Sequence, residues 1–201
     1  KADSKYSHIR LWGSMGFIGA AILLGIMIDS IGEKSLIYAL LLTQLVIFLL
    51  AFILPTKKVI FLPKKKRSIW PILKKREVVV LLLSCALMVS SHGLLYNFYS
   101  IFLEQQGYSG TTIGLLWAVG VIFEIIIFLL MPRILNKFTL KAVLLISLGF
   151  AVIRFFLIGA YVDSMILLFI AQVMHAATFG SFHVASIQLI AHFFYNEHQA
   201  R

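Results

Sequence analysis

Cysteine is nearly absent from this chain, and charge is scarce. A lone Cys85 among 201 residues excludes an internal disulfide and a cysteine-built zinc site. Charged residues make up 13% of the sequence, about half the share usual in soluble proteins. Acidic residues are the scarcer kind, at 8 Asp+Glu against 18 Lys+Arg. No HExxH or GxSxG is present, so the common zinc-peptidase and serine-hydrolase signatures are missing. What fills the chain instead is apolar surface, at 61% of residues. A soluble domain of this length could not hide that much from water. A soluble enzyme, a disulfide scaffold and a disordered tail are all excluded.

A membrane-crossing helix needs about 20 mostly apolar residues. Six stretches qualify, at Ile9–Ile28, Leu36–Leu54, Val78–Leu103, Thr112–Met131, Ala142–Tyr161 and Met165–Tyr195. The runs are long and lack two-residue alternation, so they read as helices and the chain as an all-α polytopic membrane protein. The last is long for one span, which predicts a tilt or an end reaching into water. The chain starts at Lys1 with no signal peptide. It is expected to be a piece of a longer membrane protein.

The cations have a pattern. Residues 55–77 hold nine of them, from Lys57 to Arg76, and the Pro132–Lys141 loop holds three more. Lys1, Lys5, Arg10 and Arg201 flank the ends. The alternate loops are net acidic or carry a single acid, with Lys34 their one cation. The positive-inside rule then predicts that both ends and both basic loops face the cytoplasm. A nucleic-acid role for the Lys57–Arg76 loop is set aside. The flanking spans hold it against the membrane, and Ile60, Phe61, Leu62, Ile69 and Trp70 interleave with its cations, which suits anionic lipid headgroups.

Ionisable residues inside a bilayer cost several kcal/mol and point to function by default. Glu124, Arg154 and His175 each lie near the middle of a span, and His92 adds a fourth titratable group. Helical spacing places Trp117, Gly120, Glu124 and Phe128 on one face. Likewise it groups Ser147, Arg154 and Tyr161; Gln172, His175, Phe179 and Ser186; and His92, Tyr96 and Tyr99. Such stripes suit a polar cavity edged with aromatic rings. The structural alternative is that Glu124 and Arg154 pair as glue, with the histidines donating to backbone carbonyls. Gly16/Ala20 and Ala21/Gly25, four residues apart in the first span, allow close helix packing.

The ordered set formed by Arg10–Ser14 (RLWGS), Gly107–Ser109, Ile113–Trp117 (IGLLW), Glu124–Phe128 (EIIIF), Leu144–Ser147, Arg154, Gly159, Gln172, His175, Thr178, Phe179, His183 and Ala185 resembles the major facilitator superfamily. It is most similar to the branch of the 3-phenylpropionic acid transporters, near the lactose permease group of proton symporters. That resemblance implies a twelve-span transporter of which this chain supplies spans five to ten. Residues 1–54 would close the first half, 55–77 would be the central cytoplasmic loop, and 78–201 would open the second half. The full-length protein would be a monomer, with a proton gradient rather than a cofactor as its driving force.

The resemblance also implies roles. Arg10 corresponds to a substrate-binding arginine, and Phe17 to a stacking aromatic. Arg154 corresponds to the arginine that drives proton release, and His175 to the histidine of the coupling network. The permease's proton-carrying glutamate is replaced here by Thr178. Glu124 is therefore the expected proton carrier, Arg154 its release switch and His175 a modulator. His92, Tyr96, Trp117 and Phe179 join Arg10 and Phe17 as expected substrate contacts. No metal ligand set is expected. The expected function is secondary transport, with proton-coupled symport of an aromatic carboxylate ahead of a sugar or nucleoside. A channel or structural subunit is the reading from another class.

Overall fold

A computed structural model describes residues 2–54 and 69–199, with side chains over 12–54 and 69–194. Arg10's side chain, and the basic loop from Lys57 to Arg67, lie outside the described residues. All regular structure described is helical. The elements are α1 (Ala2–Ile31), α2 (Lys34–Ala51), the short α3 (Trp70–Leu73), α4 (Arg76–Gln105), α5 (Gly110–Leu135), α6 (Leu140–Ala160), α7 (Met165–His175) and α8 (Phe182–Gln199). A π-helical segment, Ala176–Ser181, joins α7 to α8. Six helical stretches are long and apolar enough to cross a membrane, the last running from Met165 to Phe194 through the π segment. Their ends match the expected spans to within about one turn.

Local chemistry sets the boundaries. Ser109, Thr139 and Ser164 each turn a hydroxyl back to a backbone N–H three residues on, capping α5, α6 and α7. Gly32 and Gly107 take positive φ in the turns after α1 and α4, a conformation that disfavours any side chain with a Cβ. The Tyr108 hydroxyl donates to the Val162 carbonyl at 2.7 Å, tying the α4–α5 turn to the α6–α7 turn.

Helices α4 to α8 form a bundle with two apolar layers. One gathers Leu81, Met88, Met131, Val143, Ala151, Phe182 and Ala185. The other gathers Leu95, Leu103, Ile113, Leu116, Ile158, Leu168 and Ala171. Each of the four spans from α4 to α8 contributes to both. Helix α1 packs chiefly on α5, and α2 packs on α1. The remaining apolar face of α2 is exposed.

The α1–α5 contact is built from small residues. A Cβ at Gly25 would overlap the carbonyl of Gly110, and one at Gly114 would overlap the carbonyl of Ala21. The Ala21/Gly25 pair therefore packs as its spacing suggests. Gly16 does not share in that contact, since a Cβ there would meet nothing within 4 Å.

Candidate functional site

The two apolar layers enclose a polar one. On α4, His92 falls between Met88 and Leu95; on α6, Arg154 falls between Ala151 and Ile158. Gln172, His175 and Thr178 lie between Ala171 and Phe182, and Glu124 lies between Leu116 and Met131. All six polar residues are buried. A stripe at the middle of each span has thus become a single cross-section of the bundle.

Arg154 is the centre of this layer and is fully buried. Its Nε donates to the Ala171 carbonyl at 2.9 Å, and its Nη1 donates to the Thr178 hydroxyl at 3.2 Å. The same Nη1 lies 3.4 Å from Nε2 of His92. The tautomer of His92 follows from its other nitrogen. Nδ1 sits 3.0 Å from the Met88 carbonyl, a partner that can only accept. Nδ1 therefore carries a proton, and in the neutral ring Nε2 presents a lone pair to the guanidinium. A doubly protonated His92 would set an N–H against an N–H. His92 and Thr178 together form an acceptor cradle for one edge of Arg154, while Nη2 has no hydrogen-bond partner among the described residues.

The acid stands beside a second histidine. His175 Nε2 lies 3.8 Å from Oε2 of Glu124. The His175 ring stacks on Phe179, with centroids 5.3 Å apart and planes 10° from parallel. Gly120 makes the approach possible. A Cβ there would come within 3.1 Å of Gln172 Oε1 and 3.4 Å of His175 Cδ2. The two intramembrane charges thus sit in different settings. Arg154 is held by Ala171, Thr178 and His92, whereas Glu124 faces His175.

The π segment places Thr178. A π turn is wider than an α turn and is common at functional sites. Its backbone is supported by side chains: the Thr178 hydroxyl lies 3.3 Å from the His175 carbonyl, and Ser181 donates to Ala177 at 2.6 Å. Ser181 also meets Ser147 of α6 at 2.9 Å. Met165–Tyr195 is expected as one long span, and the structure has one span there with this wide turn inside it.

In front of this layer lies a cavity of about 1090 Å³ between α1, α4 and α5. Phe17, Tyr96, Trp117 and Phe179 line it, and its inner wall reaches Glu124 and His175. The rings form one cluster. Tyr96 and Trp117 are 5.6 Å apart, Phe17 meets Trp117 edge-on at 6.5 Å, and Tyr96 meets Phe179 at 6.3 Å. Trp117 is fixed by donating Nε1–H to Ser100 at 3.0 Å and by Tyr99 packing edge-on at 5.3 Å. Phe17, Tyr96, Trp117 and Phe179 therefore share the cavity. His92 sits behind them with Arg154, at 3% exposure, so its place is with the charged layer. Tyr161, grouped with Arg154 by spacing, is exposed.

The described lining includes the carboxylates of Asp29, Glu33, Glu104 and Glu124 and no Lys or Arg. Among the described residues, no group of three or more His, Cys, Asp or Glu is arranged to hold a metal ion.

A helical membrane bundle with a charged layer beside a central cavity defines a class, and comparison with known proteins places the chain within it. The model of the MFS_1-like family matches residues 1–201, and the chain belongs to that family of major facilitator transporters. It is 30% identical over 191 residues to the probable 3-phenylpropionic acid transporter of Escherichia coli (strain K12), an alignment covering 92% of this chain and 50% of that protein. The chain thus spans about half the length of that relative. No solved structure matches significantly.

Proposed function

We propose that this chain forms the central half of a twelve-span proton symporter that carries an aromatic carboxylate across the bacterial inner membrane. In this reading residues 1–54 end the first half and 78–201 open the second. The basic 55–77 loop and both ends lie in the cytoplasm, where the loop's cations meet anionic lipid headgroups. Membership of a transporter family makes an enzymatic role foreign to this reading, and the cycle needs no cofactor beyond the proton gradient.

The observation that carries the reading is a buried carboxyl and a buried guanidinium in one layer, with the carboxyl on the wall of an aromatic-lined cavity. Rings such as Trp117 and Tyr96 offer faces and edges to an aromatic solute. The carboxylates on the described wall repel an anionic one. A proton on Glu124 removes the nearest of these charges, so substrate and proton enter together. Movement of Arg154 from its cradle toward Glu124 would expel the proton, and His175 beside the carboxyl would modulate the transfer. Arg10 is the proposed partner of the substrate carboxylate.

The test uses the full-length protein in proteoliposomes. Glu124→Gln should abolish uphill uptake of 3-phenylpropionate driven by a pH gradient while leaving substrate exchange intact. Uphill uptake surviving in that variant would remove Glu124 from the role. Uptake of a sugar or nucleoside in place of aromatic acids would reassign the substrate.

A further inference from the structure

We infer that Asp29 is a latch that joins α1 to the start of α5 in one state of the transport cycle and lets go in the other. This inference rests on the transporter reading above and concerns how its cavity is gated.

Asp29 lies at the end of α1, yet its hydrogen bonds span more than eighty residues. Its Oδ1 accepts from the backbone N–H of Gly110 at 2.6 Å. Its Oδ2 accepts from the N–H of Thr111 at 2.7 Å and from the Thr111 hydroxyl at 2.6 Å. The first N–H groups of a helix have no partner within that helix and carry its positive dipole end. Helix α5 meets part of this need itself, since Ser109 accepts from Thr112. The N–H groups of Gly110 and Thr111 are completed by a carboxylate from another span. These are short, charge-assisted bonds, the strong kind.

The surrounding contact is made to separate. Helix α1 meets α5 at this end through close backbone approach at Gly25, Gly110 and Gly114. Asp29 is exposed, so water can take over its bonds once it lets go. Toward the other end of α1 the two helices diverge. Gly13 lines the same cavity as Gly25, yet a Cβ at Gly13 would meet nothing within 4 Å among the described residues. The pair therefore forms a wedge, closed at Asp29 and open toward Gly13. The positive-inside pattern puts Asp29 on the outer side of the membrane and Gly13 toward the cytoplasm. Helices α1 and α5 also lie on opposite sides of the basic loop in sequence, so the wedge joins the two halves proposed above. This is an inward-open arrangement with its outer end fastened by Asp29.

The test is pulsed electron-spin distance measurement on the full-length protein in lipid. One pair of labels goes at Ile31 and Gln106 near the latch, and another at Trp12 and Arg133 near the open end. All four positions are exposed. In Asp29→Ala, the short-distance population at the latch end should fall roughly tenfold or more, as expected for losing charge-assisted bonds. The distance at the opposite end should shorten in the same sample. Asp29→Asn should fall between wild type and Asp29→Ala. Ser30→Ala should match wild type, because Ser30 bonds only the Ile26 carbonyl of its own helix. A reciprocal change at the two ends is what a merely structural role would not give. Unchanged distances, lengthening at both ends, or lengthening at the latch end alone would overturn the inference. The readout needs no substrate, so failure to transport aromatic acids would count against the proposed substrate and not against the latch.

Discussion

Replacing Thr178 by valine asks a narrow question of the charged layer. The two side chains have nearly the same shape, so the change removes a hydroxyl and little else. In the structure that hydroxyl accepts from Arg154 Nη1 at 3.2 Å and lies 3.3 Å from the His175 carbonyl. Hydrogen bonds to a charged group contribute about 1.5–3 kcal/mol in soluble proteins. Those between membrane helices average about 0.6 kcal/mol and reach about 1.7. At 3.2 Å the Arg154 bond is long for its kind. A loss of about 1–2 kcal/mol is therefore expected, a factor of roughly 5–30 in the balance between the held and released guanidinium. In proteoliposomes of the full-length protein, Thr178→Val should raise proton leak without substrate. It should lower the steady-state accumulation of 3-phenylpropionate by a comparable factor. Exchange at equal pH should stay near wild type, since the cavity wall is untouched. Thr178→Ser keeps the hydroxyl and should restore coupling. If the valine variant couples normally, Thr178 does not hold Arg154 in the cycle. If serine is as damaging as valine, the defect comes from packing in the π segment, and the hydrogen-bond argument fails.

Two further outcomes follow from the packing and the charge pattern. Gly114→Val should loosen the α1–α5 contact, because its side chain would strike the Ala21 backbone. Overpacking of this kind costs about 1–3 kcal/mol, so the thermal midpoint in detergent should fall, whereas Gly149→Ala, in open space, should leave it near wild type. An alkaline phosphatase fused after Arg67 should be inactive, and one fused after Gly107 active, because only the second junction lies outside under the charge rule. The reverse activities would invert the topology, and with it the side on which Asp29 acts.

The spans were legible because lipid makes one demand of all of them, an apolar run about 20 residues long. The polar layer was half legible. Glu124, Arg154, His175 and His92 stood out because charge is costly at mid-depth, but their partners could not be read. A carbonyl such as that of Ala171 has no signature in sequence, and neither does the tautomer of His92. Thr178 looked like the loss of a glutamate, and in the folded chain it is a hydrogen-bond partner of Arg154. The π turn could not be read because helical periodicity assumes a constant 3.6 residues per turn. Asp29 was counted only as loop charge. Its partners lie 81 and 82 residues further on, and only the close approach allowed by Gly25 and Gly110 brings them together.

The wide turn at Ala176–Ser181 has a geometric consequence. A π turn holds one residue more than the α turn it replaces. That residue offsets the helix after it by about 100° and about 1.5 Å relative to an unbroken helix. The faces of α7 and α8 are therefore out of step, and the sixth span reads as two short keys cut at different angles on one shaft. The upper key carries Gln172 and His175 against Gly120, and the lower carries Phe182 and Ala185 into the apolar layer beneath. Were the turn to tighten to α, only one of these fits could survive, so the charged layer and the lower core are set against each other by a single residue of slack.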